Sequence, residues 1–151
     1  MDFILKKFGD LSASELYNIY FLRSEVFVVE QNCVYQDPDE KDLVAFHVMM
    51  VAGDQLAGYA RILPPGVSYK EPSIGRVVVK QKFRHAAAGQ LLMKYNITQT
   101  LHLFHNQDIV ISAQLYLLAF YTSLGFSKEG EEYAEDNIPH IKMRYKIACD
   151  C

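Results

Sequence analysis

Apolar residues recur along this chain at two periods, and each period predicts a different kind of element. Helical spacing predicts helices over residues 12–29, which open with a Ser12–Glu15 capping box, and over 89–105 and 115–124. The order of the elements predicts a mixed sheet with helices on its faces and a central antiparallel hairpin over 45–63. Short apolar or alternating runs predict strands over 3–7, 45–51, 56–63, 74–79, 109–112, 126–133 and 140–147.

One segment, residues 30–43, shows neither period and is rich in turn-forming residues. Its carboxylates, Asp37, Asp39 and Asp42, are spaced somewhat like those of a calcium-binding loop. The central glycine and the terminal glutamate of such a loop are missing, so we expect a solvated acidic turn and no metal site. Because loops carry function more often than helices do, we expect this segment to shape a binding pocket.

The composition narrows the class of protein. The 151 residues predict a single domain over 1–151, with a frayed tail at 146–151 that holds Cys149 and Cys151. Apolar residues make up 50% of the chain, which excludes a disordered protein, and a net charge of −3 argues against a general nucleic-acid binder. Three cysteines without paired spacing fit a reducing, cytoplasmic setting, and no run resembles a signal peptide or a membrane span.

A basic connection, residues 80–85, joins the strand over 74–79 to a helix that begins with small residues. Backbone N–H groups of a first helical turn lack intrahelical partners, and the helix dipole adds partial positive charge there. We therefore expect a phosphate to bind at this turn, although a basic connection before a helix is more often simply solvated. A later segment places Tyr121 near the end of another helix, before Gly125 and Phe126. Together the two segments indicate an acyl-coenzyme A (acyl-CoA) site, whereas Tyr121 alone would indicate core packing.

The phosphate-binding pattern of the GNAT acetyltransferases, Arg/Gln-x-x-Gly-x-Gly/Ala, falls here on residues 84–89, and the chain resembles this family. Ala87 replaces the first glycine of the pattern, which costs nothing if the backbone is already helical at that position. Within the family the chain is similar to the ElaA subgroup, from about residue 16 to residue 143. The segments that carry this similarity are Leu22-Arg23, Val26 to Cys33, Tyr35 to Asp37, His47, Tyr59 to Leu63, Ile74 to Val77 and Glu135 to Met143.

The resemblance implies an α/β (α+β) GNAT fold, with a mixed, mostly antiparallel, bent sheet of six to seven strands and helices on both faces. It implies an N-acetyltransferase in which a primary amine attacks acetyl-CoA directly in a ternary complex. The amine acceptor is expected to be a small molecule or a peptide, without a nucleic-acid or membrane partner, and a homodimer stays open. The expected coenzyme contacts are Val77, Val78, Val79, Arg84, His85, Ala86, Ala87, Ala88, Gly89, Gln90, Gln114 and Phe120.

The implied reaction sets three chemical requirements. An alkyl ammonium has a pKa of about 10.4, so its deprotonation at neutral pH costs roughly 4 to 5 kcal/mol, and Glu30, His47 and His140 are the candidate proton acceptors. Backbone N–H groups of residues 77–79 are expected to stabilise the oxyanion. Tyr121 is expected to protonate the leaving thiolate, and it would do so best with its pKa lowered by neighbouring dipoles.

Two other functions stay open at this point. A non-catalytic acyl-CoA binding or sensing protein would use the phosphate loop without a catalytic Tyr121. A cysteine hydrolase or transferase would pair Cys33 with His47, and it requires Cys33 to be exposed beside a base. Acetyl transfer to amines separates the enzyme from the binding protein.

Overall fold

The computed structural model describes residues 1–85 and 87–148. These residues form three α-helices and seven strands, in the order that the sequence predicts. The elements are β1 (Asp2–Lys7), α1 (Ala13–Arg23), β2 (Phe46–Ala52), β3 (Gln55–Leu63), β4 (Ser73–Val79), α2 (Ala88–Leu103), β5 (Ile109–Gln114), α3 (Leu118–Ser123), β6 (Phe126–Glu135) and β7 (Ile138–Tyr145).

The strands form two antiparallel sheets that meet at one corner. The first sheet has the order β1-β2-β3-β4, which confirms the predicted hairpin β2–β3 at its centre, and the second has the order β5-β7-β6. The N–H of Val110 donates to the carbonyl of Pro72 over 3.1 Å, so β4 and β5 start side by side. Beyond that point no ladder joins the two sheets in the described residues, and β4 and β5 flank a cavity instead.

The four-stranded sheet buries both of its faces, because its central strands alternate between two apolar clusters. Met49 of β2 and Tyr59 of β3 pack against α1, while Met50 and Ile62 pack against α2. Helices therefore lie on both faces, as predicted. The cluster on the α2 side also takes in the core face of the second sheet and includes Val48, Ala60, Leu92, Met93, Ile97, Ile109, Ile111, Ile141 and Met143.

The first helix begins as the sequence predicts and ends differently. The Ser12–Glu15 capping box is present at its start. After Arg23 the chain continues as a π-helical segment, Ser24–Glu30, instead of an α-helix to residue 29. The N–H of Cys33 accordingly donates to the carbonyl five residues earlier, on Val28. This wider turn brings residues 30, 31 and 33 to the wall of the cavity.

The last two strands extend further towards their connecting turn than their apolar pattern indicates, and β7 ends at Tyr145 instead of residue 147. β6 extends to Glu135 and β7 begins at Ile138, with Asp136 and Asn137 both at positive φ in a two-residue turn. The exposed outer half of this hairpin lacks the apolar alternation of a buried strand, which explains the shorter prediction. The predicted end of the third helix at Gly125 is confirmed, with φ at 105°.

The last described residues form an exposed, irregular stretch. Residues 146–148 have no regular structure, and the N–H of Ile147 donates to a carboxylate oxygen of Asp108 over 3.1 Å. The expectations for Cys149 and Cys151 lie outside the described residues, as does that for Ala86. None of the helices in the described part of the chain has the length and hydrophobicity needed to cross a bilayer.

Candidate active site

A cavity of about 860 Å³ runs between the diverging strands β4 and β5. One end is formed by the start of α2, and we call it the anion end. The middle is formed by β4, Phe120 and Tyr121. The other end lies between residues 31–41 and the β6–β7 turn, and we call it the acceptor end. Its walls include Lys41, Ser68, Tyr69, Ser112, Glu135, Asp136 and His140.

The start of α2 forms the anion end. The first turn of α2 lines the cavity through Ala88, Gly89 and Gln90, and none of the described side chains caps its backbone N–H groups. A Cβ atom on Gly89 would lie 3.5 Å from the ring of Phe120, so a larger side chain there must push that ring aside or fill the cavity. His85 is exposed and does not line the cavity.

The backbone at Ala87 corrects an expectation. We expected an ordinary helical conformation at this replaced glycine, but its φ is 58°, in the left-handed region. A residue with a Cβ atom adopts that conformation at a cost of about 1 to 2 kcal/mol relative to its usual geometry. The left-handed turn immediately before α2 directs the chain into the helix, so the strain is stored at the anion end of the cavity.

Glu30 lies at the anion end and not beside the acceptor. Its Oε2 atom is 2.8 Å from Nη2 of Arg84, and Nε of Arg84 donates to the carbonyl of Val79 over 2.8 Å. Both side chains of the pair are more than one-third exposed, so their attraction contributes little to stability. Arg84 is therefore held at the cavity edge by a partner that an incoming phosphate can replace.

A β-bulge interrupts β4 in the middle of the cavity. Arg61 pairs with Gly75 and Tyr59 with Val78, so two residues of β4 oppose Ala60 alone. The first of these two, Arg76, has a φ of 50°, and the second, Val77, lines the cavity. The bulge releases backbone hydrogen-bonding groups from the ladder in this part of the cavity wall.

Tyr121 lies on α3 with its ring edge-on to Phe120 and Phe126. Its side chain lines the cavity with only 6% of the residue exposed, and its hydroxyl has no hydrogen-bond partner within the described residues. Burial, with a smaller contribution from Tyr116, raises the pKa of Tyr121. The lowered pKa with which Tyr121 would donate best is therefore not provided by its neighbours, and the phenol is neutral at physiological pH.

The acceptor end rests on the polar face of the three-stranded sheet. Gln114 and Tyr133 both lie opposite His140, and alternation puts Ser112 and Glu135 on the same face. Nδ1 of His140 is 2.7 Å from the carbonyl oxygen of its neighbour two residues earlier, and Nε2 is 3.3 Å from Oε2 of Glu135. Sequence reasoning missed Glu135 as a site residue, although it opens one of the segments similar to ElaA.

His47 does not reach the cavity. It lies on β2 and is fully buried, and its Nδ1 is 2.6 Å from the hydroxyl of Tyr59 and its Nε2 is 2.9 Å from the carbonyl oxygen of Asp42. Burial lowers the pKa of His47, so the ring is neutral. The structure therefore gives His47 a packing role and does not bring it to the acceptor. It also does not pair His47 with Cys33, whose Sγ lies 3.4 Å from the carbonyl oxygen of Asp136.

Two of the three aspartates of the acidic turn are not solvated, which corrects another expectation, while Asp39 stays partly exposed. Asp37 and Asp42 are buried among arginines that come from three different elements. Arg23 of α1 contacts Asp37 through Nε at 2.7 Å and Asp42 through Nη1 at 2.8 Å. Arg61 of β3 donates to Asp42 over 2.8 Å. The loop before β2 is thereby tied to the helix and to the sheet.

The same network extends to the bulge. Nε of Arg76 is 2.7 Å from Oδ1 of Asp37, and its Nη2 donates to the carbonyl of Asp37 over 3.0 Å. Arg61 contacts both carboxylate oxygens of Asp39 at 2.6 and 3.1 Å. Three arginines and three aspartates thus balance their charges beside the cavity, and the left-handed residue of the bulge is held by its side chain.

Comparisons with known proteins agree with this arrangement. A family model described as an acetyltransferase (GNAT) domain matches residues 15–147. The protein ElaA of Escherichia coli is 41% identical over 141 residues, which cover 92% of each chain. The crystal structure of an acyl-CoA N-acyltransferase from Pseudomonas aeruginosa superposes with a TM-score of 0.89 at 40% identity, covering 95% of this chain and 99% of that one. An aminoglycoside 6'-N-acetyltransferase complexed with coenzyme A shares the fold, with a TM-score of 0.71 at 18% identity over 98% and 99% of the two chains.

Proposed function

Because this chain belongs to the GNAT acetyltransferase family and is ElaA-like, we propose that it transfers an acetyl group from acetyl-CoA to an amine. The acceptor is a small molecule or a peptide with a free primary amine, and the transfer occurs by direct attack within a ternary complex. The distant relative crystallised with coenzyme A supports the choice of an acyl-CoA co-substrate.

One observation carries the proposal. A single cavity connects an uncapped helix start, a bulged strand, a buried phenol and a polar acceptor face in the order that acyl transfer needs. Its volume of about 860 Å³ falls within the usual range for a small-molecule site. The acceptor end of the cavity is open and lies beyond the thioester carbon of the bound acetyl-CoA. The amine can therefore enter there without passing the coenzyme.

At the anion end, the pyrophosphate of the coenzyme binds the backbone of Ala88 to Gln90. Arg84 turns from Glu30 to the phosphate, which exchanges one half-exposed charge pair for a charge-assisted hydrogen bond. Glu30 therefore competes with the phosphate for Arg84, and we no longer count it among the candidate proton acceptors. The pantetheine arm follows residues 77–79 towards Tyr121.

At the reacting carbon, a backbone N–H released by the bulge stabilises the oxyanion that forms when the amine attacks. This contribution depends on a donor that is already fixed before the reaction. The pair formed by Arg76 and Asp37 supports that role, because it holds the bulge residue whose φ is positive. We assign this donor to Val77, the second residue of the bulge, which lines the cavity.

Tyr121 donates a proton to the departing thiolate. Burial raises its pKa, which alone would make it a weaker acid. The thiolate forms in the same dry cavity, however, and desolvation raises the pKa of the coenzyme thiol as well. The reference values of the two acids differ by roughly 2 kcal/mol, and the increase at the thiol offsets the increase at Tyr121, so proton transfer remains accessible.

Substitution of Gly89 tests the coenzyme site. Gly89→Trp should abolish the rise in melting temperature that acetyl-CoA produces in the parent protein, because the indole occupies the space beside Phe120. Gly9→Trp is the matched control, since nothing lies within 4 Å of a Cβ atom at Gly9, and it should respond like the parent. Thermal unfolding with and without acetyl-CoA measures both.

Variation of the ionic strength in the same experiment provides a second test of the coenzyme site. Stabilisation of the parent by acetyl-CoA should fall as ionic strength rises, because phosphate binding at a partly exposed basic edge is screened. If Gly89→Trp were stabilised as much as the parent, the coenzyme would bind elsewhere and the proposed function would lose its structural basis.

A further inference from the structure

Four carboxylates line the cavity, and two of them are already neutralised. Glu30 is paired with Arg84, and Asp39 is held by Arg61 and Arg76. The other two are Glu135 and its neighbour Asp136. Among the described residues, no lysine or arginine lies within ion-pair distance of Glu135. An ammonium that enters the acceptor end therefore finds the carboxylate of Glu135 available as its counterion.

The hydrogen bonds of His140 fix where its protons are. A carbonyl oxygen only accepts, so Nδ1, at 2.7 Å from the carbonyl oxygen of Ile138, carries a hydrogen. In the neutral ring Nε2 then presents a lone pair, and that lone pair faces Oε2 of Glu135 at 3.3 Å. Two acceptors at this distance repel each other unless a proton lies between them. The arrangement is therefore built to gain one proton.

We infer that Glu135 and His140 together take the proton from the acceptor's ammonium, an inference that rests on the proposed acetyl transfer. The ammonium N–H bond breaks and the proton comes to lie between Oε2 and Nε2. The neutral amine then attacks the thioester carbon, the C–N bond forms and the C–S bond breaks. The thiolate leaves with the proton of Tyr121. The nitrogen's second proton restores Tyr121, and the proton held by the pair leaves to solvent.

Neighbouring side chains hold the pair in place. Oγ of Ser112 donates to Oε2 of Glu135 over 3.3 Å, and the hydroxyl of Tyr133 contacts the same Oγ. The ring of Tyr133 also stacks on that of His140, with centroids 6.1 Å apart. The side chain of His140 is only 9% exposed whereas that of Glu135 is 53% exposed, so Glu135 meets the acceptor and His140 supports it from below.

Turnover of amines that differ in basicity tests the chemical role. Glu135→Gln and His140→Gln should each lower kcat at least tenfold with ethylamine and the other amines of an alkylamine, diamine and amino-acid panel. The same variants should lose much less with 2,2,2-trifluoroethylamine, which is largely unprotonated at neutral pH and needs no base. Glu132→Gln removes the same charge from an exposed position of β6 outside the cavity and should keep parental turnover with both.

An equal loss with both kinds of amine would mean that the pair only shapes the pocket, and full activity of Glu135→Gln would also overturn the inference. The melting-temperature response to acetyl-CoA should be parental in all three variants. If the parent itself acetylated none of these amines, the proposed function would fail, and that failure is visible before any variant is compared.

Nitrogen NMR of labelled histidine tests the pair without an acceptor. The signal of His140, assigned by its loss in His140→Gln, should show a hydrogen on Nδ1 in the parent and in Glu132→Gln, because the carbonyl oxygen of Ile138 accepts from it. A neutral ring that carries its hydrogen on Nε2 would contradict the arrangement of the pair.

Discussion

Replacement of Asp42 by asparagine is expected to remove much of the free energy of unfolding that the loop before β2 contributes. The carboxylate of Asp42 is 1% exposed and accepts from Nη1 and Nη2 of Arg23 at 2.8 and 3.1 Å and from Nη1 of Arg61 at 2.8 Å. Asparagine keeps one acceptor oxygen, removes the charge and turns an N–H group towards an arginine. The substitution thus leaves a net positive charge inside the network.

The magnitude follows from this geometry. Removal of one partner from a buried ion pair costs about 3 to 5 kcal/mol, because the other partner stays buried without compensation. A domain of this size is stable by about 5 to 15 kcal/mol, so the loss is a large fraction of the total. For about 150 residues, each kcal/mol shifts Tm by roughly 2 to 4 °C, which gives a fall of about 6 to 20 °C.

Urea unfolding at neutral pH measures this loss, with Glu40→Gln as the control. Glu40 belongs to the same short helical turn but is exposed, so its substitution should change the free energy of unfolding by less than about 0.5 kcal/mol. A loss below about 1 kcal/mol in Asp42→Asn would show that water or rearranged side chains satisfy the arginines. The claim that the network of arginines and aspartates stabilises the fold would then be wrong.

Acid titration gives an independent check on the same residue. Burial opposes ionisation of Asp42, but the hydrogen bonds and charges of Arg23 and Arg61 outweigh it, and its pKa is lowered. A carboxyl with a lowered pKa contributes stability above its ordinary pKa of about 4 and loses it as the pH falls towards the folded-state value. The difference between parent and Asp42→Asn should therefore be full at neutral pH and shrink below about pH 4.

Three further substitutions test single features. Tyr121→Phe should lower kcat at least tenfold at saturating acetyl-CoA while Tm and coenzyme affinity stay nearly parental, and unchanged turnover would make Tyr121 structural. Ala87→Gly should raise the free energy of unfolding by about 1 kcal/mol, since relief of the positive φ exceeds the entropy that glycine adds to the unfolded chain, and a lower Tm would refute this. Arg76→Gly should be about 1 kcal/mol more stable than Arg76→Ala in urea, because only glycine adopts the bulge conformation freely.

Most of the fold prediction rests on local sequence patterns. The capping box, the hairpin β2–β3 and the glycine after α3 depend on residues a few positions apart, and each is where the sequence indicates. The start of α2 was found for the same reason. Its conformation was not, because Ala87 carries no glycine signal and its positive φ is imposed by the surrounding chain.

Long-range charge pairs were the main omission. Asp37 is 14 residues from Arg23 and 39 from Arg76, so no local pattern links them, and an isolated run of aspartates is usually solvated. The same limit applies to His140 and His47, which are equivalent as residue types. Only the register of β7 against β5 and β6 brings His140 to the cavity, while β2 buries His47.

Release of free coenzyme A from acetyl-CoA in the presence of the amine panel, with mass spectrometry of the amine products, tests the central claim most directly. We expect thiol release that depends on the amine, one acetyl group on the nitrogen of the preferred acceptor, and loss of both signals in Gly89→Trp. Acetyl-CoA that stabilises the protein yet is never transferred to any amine would contradict the account and identify an acyl-CoA binding protein instead.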